Sequence, residues 1–529
     1  MSDNDRHAAA PAASSAASSA AALPAAESTA LRLGLVGCGV MGRGIAQIAA
    51  QAGIQVVLHD GRPGGAAEAR ELLVQTFATL QAKGKLTADQ ATSATGRLTV
   101  AAGLPALAGC DVVVEAIVES LDAKRALFAE LEALVSPQCV LATNTSSLSV
   151  TAIAAGLKHP QRVAGWHFFN PVPLMKIVEV IDGLLTDRAV SDFLLALGRR
   201  VGHTAVRAQD TPGFIVNHAG RGYGTEALRI LAEGVAPFHQ LDRILRDTAG
   251  FRLGPFELLD LTGLDVSHPV MESIYHQYFE EPRFRPQPLT RQMLAAGTLG
   301  RKTGRGFYRY DAGKQELFDE PPAPTDRAAK VWVSRERPEA REAVVELLQR
   351  LGARIDGNER PDDDSLCLVT PLGEDTTTCV AREQLDARRT LAIETLMDTS
   401  RRRVLMTNPL TTQLWREAAH GLLASDGVPV SVIRDSAGLV TQRVLATIIN
   451  IACEIAQQRI AAPADIDRAV TLGLGYPLGP LAWGDKLGPM TVLALLKNLQ
   501  AQTGDPRYRP SSWLQRRALL GASLLSDEE

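Results

Sequence analysis

Short apolar runs alternate with amphipathic stretches over the first two hundred residues. Leu31–Val36 is apolar and ends in glycines. Apolar side chains then recur at helical spacing from Met41 to Gln51, and a second apolar run follows at Val56–Leu58. That is the pattern of a strand, a helix and a strand. Helical spacing returns over Gly64–Lys83. Further strands are expected at Asp111–Ile117, Val140–Thr143, Val163–Phe168, Ile177–Ile181 and Thr204–Ala208. Strands alternating with helices build an α/β, doubly wound sheet of the Rossmann type, and residues 30–209 are read as that domain. From Asp210 the pattern is helical to about residue 300 and closes with Lys302–Tyr310, so 210–312 is expected to form an all-helical domain.

Residues 313–327 hold Pro321, Pro322, Pro324 and several acids, and read as a linker. Beyond it the helical pattern returns at a constant offset. Asp210-Thr-Pro-Gly213 corresponds to Asp435-Ser-Ala-Gly438, 225 positions on. At the same offset, Leu241-Asp242-Arg243 corresponds to Ile466-Asp467-Arg468, Leu253-Gly254-Pro255 to Leu478-Gly479-Pro480, and Asp260 to Asp485. Residues 431–529 are therefore read as a second copy of the helical domain. Between the copies, 328–430 shows a strand at Lys330–Val333, a helix to Leu351, and strands near Leu366–Thr370 and Val404–Met406. No glycine loop follows its first strand. This segment is expected to be a degenerate Rossmann-like unit that cannot seat a pyrophosphate.

Composition narrows the function classes. The 529 residues are 46% hydrophobic, enough for sizeable cores, and the net charge of −4 is spread along the chain. No basic field points to nucleic acid. Six cysteines stand singly, at 38, 110, 139, 367, 379 and 453, with no spacing that suits a metal, as expected in a reducing cytoplasm. Residues 1–29 are mostly Ala, Ser and Pro and read as a disordered tail rather than a signal peptide. No apolar run is long enough to span a bilayer, so neither membrane nor nucleic acid is expected as a partner.

Gly37-Cys38-Gly39-Val40-Met41-Gly42 is G-x-G-x-x-G between a strand and a helix. Gly37 allows the tight turn, Gly39 lets backbone approach a pyrophosphate, and Gly42 lets helix and strand pack. The helix N-terminus then offers free N–H groups to the anion. Asp60 ends the second strand, where a carboxylate accepts both ribose hydroxyls and repels a 2′-phosphate. NAD is expected rather than NADP, although Arg62 lies two residues on.

His167 ends a strand, at the edge where such sheets bind ligands. A neutral imidazole there can take a hydroxyl proton as hydride leaves the same carbon. Asn170-Pro171-Val172-Pro173 forces a turn, and the returning strand carries Glu179, which can reach the other ring nitrogen. A packed core histidine is the competing reading. Ser146 and Ser147 follow a strand at the same edge: one hydroxyl can bind a substrate oxygen, or both can cap a helix. Asn217 sits early in the first long helix of the helical domain. Its amide can reach the same oxygen, or link helices.

These motifs resemble the 3-hydroxyacyl-CoA dehydrogenase family. The matching pieces are G-C-G-V-M-G-R-G-I-A-Q (37–47), V-V-E-A-I-V-E (113–119), N-T-S-S-L (144–148), H-F-F-N-P-V-P (167–173), D-T-P-G-F-I-V-N (210–217) and G-P-F-E-L-L-D (254–260). The resemblance implies NAD-dependent oxidation of (S)-3-hydroxyacyl-CoA to 3-ketoacyl-CoA. It implies His167 as base, Glu179 as its partner, and Ser146 and Asn217 on the 3-oxygen. Cofactor contacts would fall on Ala116, Glu119, Lys124 and Asn144, besides Asp60 and the loop with Val40 and Met41. Lys83 and Lys85 are candidates for CoA phosphates, or belong to a solvated loop.

The duplication resembles the long bacterial forms of the family, among them the 3-hydroxyadipyl-CoA dehydrogenases of phenylacetate breakdown. A 3-hydroxybutyryl-CoA dehydrogenase, a relative acting on non-CoA hydroxy acids, and a non-catalytic NADH-binding protein are the alternatives. After Asn217 the chain reads His-Ala-Gly-Arg-Gly, and Arg221 is a candidate for a distal substrate carboxylate, or a surface arginine. In the second copy, the equivalent of Asn217 is Gln442, and 328–430 lacks H-F-F-N-P, so that copy is expected to be silent. The chain is expected to be a homodimer, or a monomer whose two helical domains pack as an internal pseudo-dimer.

Overall fold

A computed structural model of the chain describes residues 23–528. The first sheet contains β1 (Arg32–Val36), β2 (Gln55–His59), β3 (Leu98–Val100), β4 (Val112–Glu115), β5 (Val140–Thr143), β6 (Val163–Phe168), β7 (Ile177–Asp182) and β8 (Thr204–Gln209). Their order is β3-β2-β1-β4-β5-β6-β7-β8. β6 and β7 run antiparallel, and the other neighbours are parallel. The central strands β4, β5 and β6 are buried throughout, as expected of a sheet covered by helices on both faces. The order in which strands are added reverses between β1 and β4, which opens a crevice at the carboxyl ends of these parallel strands. β3 has only three residues, too short to show a period of two in the sequence.

Residues 1–22 of the Ala/Ser-rich stretch lie outside the described residues. Residues 23–28, expected to be part of a disordered tail, instead lie against the sheet domain. Ala26 is buried, and the Arg200 guanidinium donates to the carbonyls of Ala26 (2.6 Å) and Ser28 (2.8 Å). A distant arginine supplies the anchor, which local composition does not reveal.

The repeat has a physical origin in two helix-capping aspartates. Asp242 accepts the N–H groups of Phe256 and Glu257 at the start of helix Pro255–Thr262. Asp467 does the same for Leu481 and Ala482 at the start of helix Pro480–Leu487. A Cβ on Gly254 or Gly479 would lie 2.2 Å from the respective carboxylate, so glycine is required at both. The repeat also reaches further back than the sequence motifs do. Shifting β5, β6, β7 and β8 by 225 positions places them on the strands Leu366–Val369, Thr390–Ile393, Arg403–Met406 and Val430–Ile433, within one or two residues at most ends. These four, with Lys330–Val333 and Arg354–Ile355, form a six-stranded sheet in which only Thr390–Ile393 and Arg403–Met406 pair antiparallel. After its first strand, Ser334-Arg335-Glu336-Arg337 stands in place of a glycine loop. The Arg337 guanidinium lies across the strand ends, donating to the carbonyls of Thr370 (3.0 Å) and Pro371 (3.4 Å).

The two helical units pack on each other. Helix Arg221–Ala232 crosses helix Thr441–Gln457 closely enough that a Cβ on Gly222 would meet Ile451 Cδ1 at 3.1 Å. Arg443 locks the crossing: it donates to Glu226 (2.5 Å) and to both oxygens of Glu233 (2.6 and 2.9 Å), while Tyr508 donates to Glu226 (2.6 Å). Burial alone would raise the Glu226 carboxyl, but Arg443 and Arg507 hold it below the usual carboxylate range. The linker is pinned as well: Glu320 bridges Arg243 and Arg402, and the Phe318 ring stacks on His239 at 4.3 Å. Among the described residues, no helix is long and apolar enough to cross a membrane.

Two predictions follow from this packing. Arg443→Met strips Glu226 of its main counter-charge in a buried setting and should destabilise the protein by about 3–5 kcal/mol. Urea unfolding at pH 7 reads this, and a loss below ~1 kcal/mol would show the latch to be dispensable. His218 is buried against Tyr278 (3.1 Å from Nδ1 to the hydroxyl), and burial, aided by Arg283, pushes its pKa from 6.5 down to about 3. The fold therefore keeps this ring neutral while the unfolded chain takes up a proton below its own pKa. Stability should fall as pH drops from 6.5 toward 3, by up to ~1.4 kcal/mol per pH unit from this group. His218→Asn should flatten that slope between about pH 6.5 and 5; equal slopes in variant and wild type would refute the assignment.

Candidate active site

The glycine loop leaves β1 and enters helix Val40–Gln51. Gly37 has φ +94°, and a Cβ there would sit 2.6 Å from the Ala116 carbonyl oxygen. A Cβ on Gly42 would be 1.9 Å from the Gly37 carbonyl oxygen. At Gly39 nothing lies within 4 Å of such a Cβ, so the loop has open space where a pyrophosphate would approach. Val40 opens the helix and is exposed; Met41 is partly buried against the sheet core. Asp60 faces this loop, accepting the N–H groups of Cys38 and Arg62, each at 2.8 Å. Burial opposes its charge, but these two N–H groups and the Arg62 guanidinium hold the carboxyl below the usual range. Arg62 leans on Asp60 (3.6 Å). A dinucleotide with free ribose hydroxyls fits this set of donors and acceptors.

A second acidic chain runs beneath the crevice. Lys124 Nζ lies 2.5 Å from Glu115 and 3.2 Å from Glu119, and its side chain is 1% exposed. Lys124, an expected cofactor contact, is thus a buried ammonium paired with two carboxylates. Glu119 in turn organises the serine loop. Its Oε1 accepts from Thr145 Oγ1 (2.7 Å), from the N–H of Ser146 (2.8 Å) and Ser147 (3.2 Å), and from the hydroxyls of Ser146 (3.2 Å) and Ser147 (3.1 Å). Burial works against its charge, but Lys124, Thr145 and Ser146 keep the carboxyl low. Asn144 Oδ1 accepts the N–H of Phe168 (2.9 Å), tying the end of β5 to the end of β6. Helix capping in this stretch falls to Ser149, which accepts the N–H of Ala152.

His167 and Glu179 are directly opposite in the antiparallel β6–β7 pair, so both side chains stand on one face of the sheet. His167 Nδ1 lies 2.7 Å from Glu179 Oε2, and both residues are buried. The other carboxylate oxygen, Oε1, accepts the N–H groups of Ile215 and Val216, each at 2.9 Å. With Nδ1 facing a carboxylate, that nitrogen carries the proton and Nε2 keeps its lone pair. Nε2 has no hydrogen-bond partner among the described residues. Phe169 and Phe214 flank the ring, with centroids 4.4 and 5.7 Å away. Asn217 follows in helix Val216–Ala219, its Nδ2 3.5 Å from the Ser146 carbonyl oxygen.

Asn144, Ser146, His167, Glu179 and Asn217 are therefore brought to one place, with the glycine loop and Asp60 along the same sheet edge. Lys83 and Lys85 stand apart at the end of helix Gly65–Ala82, exposed and without side-chain partners among the described residues. Sequence reasoning missed the flanking Phe169 and Phe214 and the structural role of Glu115. Phe214 has φ +49°, forced where Gly213-Phe214 turns the chain into the helix. In the second copy, Gln442 is engaged elsewhere, donating to Glu394 (2.9 Å) and accepting the N–H of Gly373 (3.0 Å).

Known proteins match both halves of the chain. Residues 32–211 match the family "3-hydroxyacyl-CoA dehydrogenase, NAD binding domain", and residues 213–310 and 438–523 both match "3-hydroxyacyl-CoA dehydrogenase, C-terminal domain". The chain is 39% identical to the 3-hydroxyadipyl-CoA dehydrogenase of Escherichia coli (strain K12) over 487 residues, 92% of this chain and 97% of that one. It is 40% identical to a probable 3-hydroxybutyryl-CoA dehydrogenase of Deinococcus radiodurans over 280 residues, 53% of this chain and all of that one. A crystal structure described as 3-hydroxybutyryl-CoA dehydrogenase from Escherichia coli K12 superposes with a TM-score of 0.83 at 36% identity, covering 93% of this chain and 98% of that one. Asp60→Ala should weaken NADH binding by about tenfold or more, the loss of a charge-assisted hydrogen bond, and reduce discrimination against NADPH. Fluorescence titration with both nucleotides reads this, and an unchanged NADH affinity would remove Asp60 from the cofactor site.

Proposed function

This chain belongs to the 3-hydroxyacyl-CoA dehydrogenase family, and we propose that His167, held by Glu179, is the base with which it oxidises (S)-3-hydroxyacyl-CoA to 3-ketoacyl-CoA. The observation that carries this reading is the 2.7 Å contact between His167 and Glu179, which leaves Nε2 open. Nε2 takes the hydroxyl proton. The imidazolium that results is stabilised by an adjacent carboxylate that cannot turn away, because two backbone N–H groups hold its other oxygen. NAD, when bound, supplies the acceptor for the hydride leaving the carbinol carbon; the glycine loop, Asp60, Ala116, Glu119, Lys124 and Asn144 are the groups that would hold it.

Ser146 and Asn217 are the donors for the 3-oxygen. A hydroxyl has one hydrogen, so Ser146 must turn it from Glu119 to the substrate, while its backbone N–H stays on Glu119. The Asn217 amide makes only a long contact, 3.5 Å, and is free to donate. In the reverse direction the same two donors polarise the ketone. Lys83 and Lys85 remain candidates for the CoA phosphates, as exposed cations.

For the acyl group, the reading favoured is a dicarboxylyl chain, 3-hydroxyadipyl-CoA, of the kind met in phenylacetate breakdown. The similarity to a 3-hydroxyadipyl-CoA dehydrogenase spans 92% of this chain, both helical units included. The description of the matching crystal structure favours 3-hydroxybutyryl-CoA as the second reading. Relative kcat/KM on 3-hydroxybutyryl-, 3-hydroxyhexanoyl- and 3-hydroxyadipyl-CoA decides between them.

His167→Gln should lower kcat by about 10²–10⁴-fold while sparing NADH binding; near-normal turnover would eliminate His167 as the base. Glu179→Gln removes the anion beside the imidazolium and should lower kcat by about 10²–10⁴-fold while sparing NADH binding; an unchanged kcat would remove Glu179 as the partner of the base.

A further inference from the structure

Most arginines shielded from solvent among the described residues meet carboxylates. Arg443 meets Glu226 and Glu233, Arg402 meets Asp247, and Arg403 meets Asp426. Arg221 does not. Its Nε donates to the Asn217 carbonyl oxygen (2.9 Å), its own helical turn, and no carboxylate lies within salt-bridge distance among the described residues. It is largely enclosed yet keeps some surface open to solvent. Burial lowers its pKa from 12.5 to about 10, the mark of a cation short of counter-charge. The fold itself does not require it: the equivalent position of the second copy is Ala446.

Arg221 is one helical turn from Asn217, so the two side chains share a face. Asn217 faces the Ser146 loop. The contact from Nε to the Asn217 carbonyl draws the guanidinium back along the helix toward the catalytic end. The four-residue step measures about 6 Å along the axis. In a six-carbon acyl chain, three carbon–carbon bonds of about 1.5 Å each separate C3 from the terminal carboxyl carbon, so an ω-carboxylate falls within reach of Arg221 when the 3-oxygen is at Asn217.

The second helical unit encloses this arginine. A Cβ on Gly220 would lie 2.8 Å from Leu474 Cδ1, and one on Gly222 would lie 3.1 Å from Ile451 Cδ1. The two glycines beside Arg221 thus let the second copy close over it. Tyr476 of that copy packs against Tyr223, two residues on from Arg221, with ring centroids 5.7 Å apart, and its buried hydroxyl has no hydrogen-bond partner among the described residues. A cation without an anion and a hydroxyl without an acceptor thus belong to the same stretch of the interface.

We propose that Arg221, backed by Tyr476 of the second helical unit, binds the distal carboxylate of a dicarboxylyl-CoA substrate, so that the non-catalytic copy completes the acyl pocket. The inference rests on the active-site reading above, because the position of the 3-oxygen sets the reach to Arg221.

The test is steady-state kinetics of the intact enzyme on 3-hydroxyadipyl-CoA and 3-hydroxyhexanoyl-CoA, which differ only in the terminal carboxylate. The wild type should prefer the adipyl substrate. Arg221→Met should lower the adipyl-to-hexanoyl ratio of kcat/KM by about 10–100-fold. Arg221→Lys, which keeps the charge and is the milder change for folding, should retain part of the preference. Tyr476→Phe should lower the ratio by a few-fold. A wild type with no adipyl preference, or variants that leave the ratio unchanged, would overturn the proposal. Failure of the active-site reading looks different: His167→Gln would then retain turnover on both substrates alike.

Discussion

The carboxylate of Glu179 is the joint on which the molecule turns. One oxygen holds the His167 ring, and the other takes the first N–H groups of the helix that carries Asn217. A buried carboxylate is costly unless its lone pairs are filled, and here three donors fill them. The same group therefore sets the imidazole's tautomer and docks the helical domain against the sheet. Anything placed further along that helix, Asn217 and then Arg221, inherits its position from this contact. The chemistry and the domain arrangement cannot be adjusted separately.

A second carboxylate plays the corresponding part on the cofactor side. Glu119 collects the backbone and hydroxyls of the 145–147 loop, and Lys124 holds Glu119 from below. The serine loop is thus shaped by charge-assisted hydrogen bonds. Both sides of the crevice are thus organised by carboxylates, Glu179 holding the imidazole and Glu119 the backbone of the serine loop.

How much of this was legible in the sequence depended on whether a signal was local. The glycine loop was legible because each glycine answers a contact within one βαβ unit. The pairing of His167 with Glu179 was also legible: the prolines between them force a reversal, and a period of two then puts both on one face. Lys124 and Glu119 were harder. The sequence shows a cation and two acids close together, but which of them lies under the crevice depends on how the following helix packs. The strand Thr390–Ile393 was also missed, and the edge strand Arg354–Ile355 was missed because two residues carry too little period. Residues 23–28 were read as free because their anchor, Arg200, is far along the chain. The repeat was visible where glycine and aspartate need each other sterically, at Gly254 with Asp242 and at Gly479 with Asp467. It was invisible in the sheet, where many apolar residues serve equally well.

Joining the two helical units in one chain also changes what their interface can be. In a symmetric pair, each substitution appears on both sides, so an interface must complement itself. Here the two sides differ. Glu226 pairs with Arg443, while the position equivalent to Glu226 is Ile451 and that equivalent to Arg443 is His218. The latch exists once, with an apolar contact and a neutral histidine where a symmetric partner would place a second ion pair. Arg221 opposite Ala446 is the same kind of asymmetry near the active site. A covalent link also makes the encounter of the two units intramolecular, so dilution does not separate them. Released from self-complementarity, each unit can change its side of the interface without changing the other.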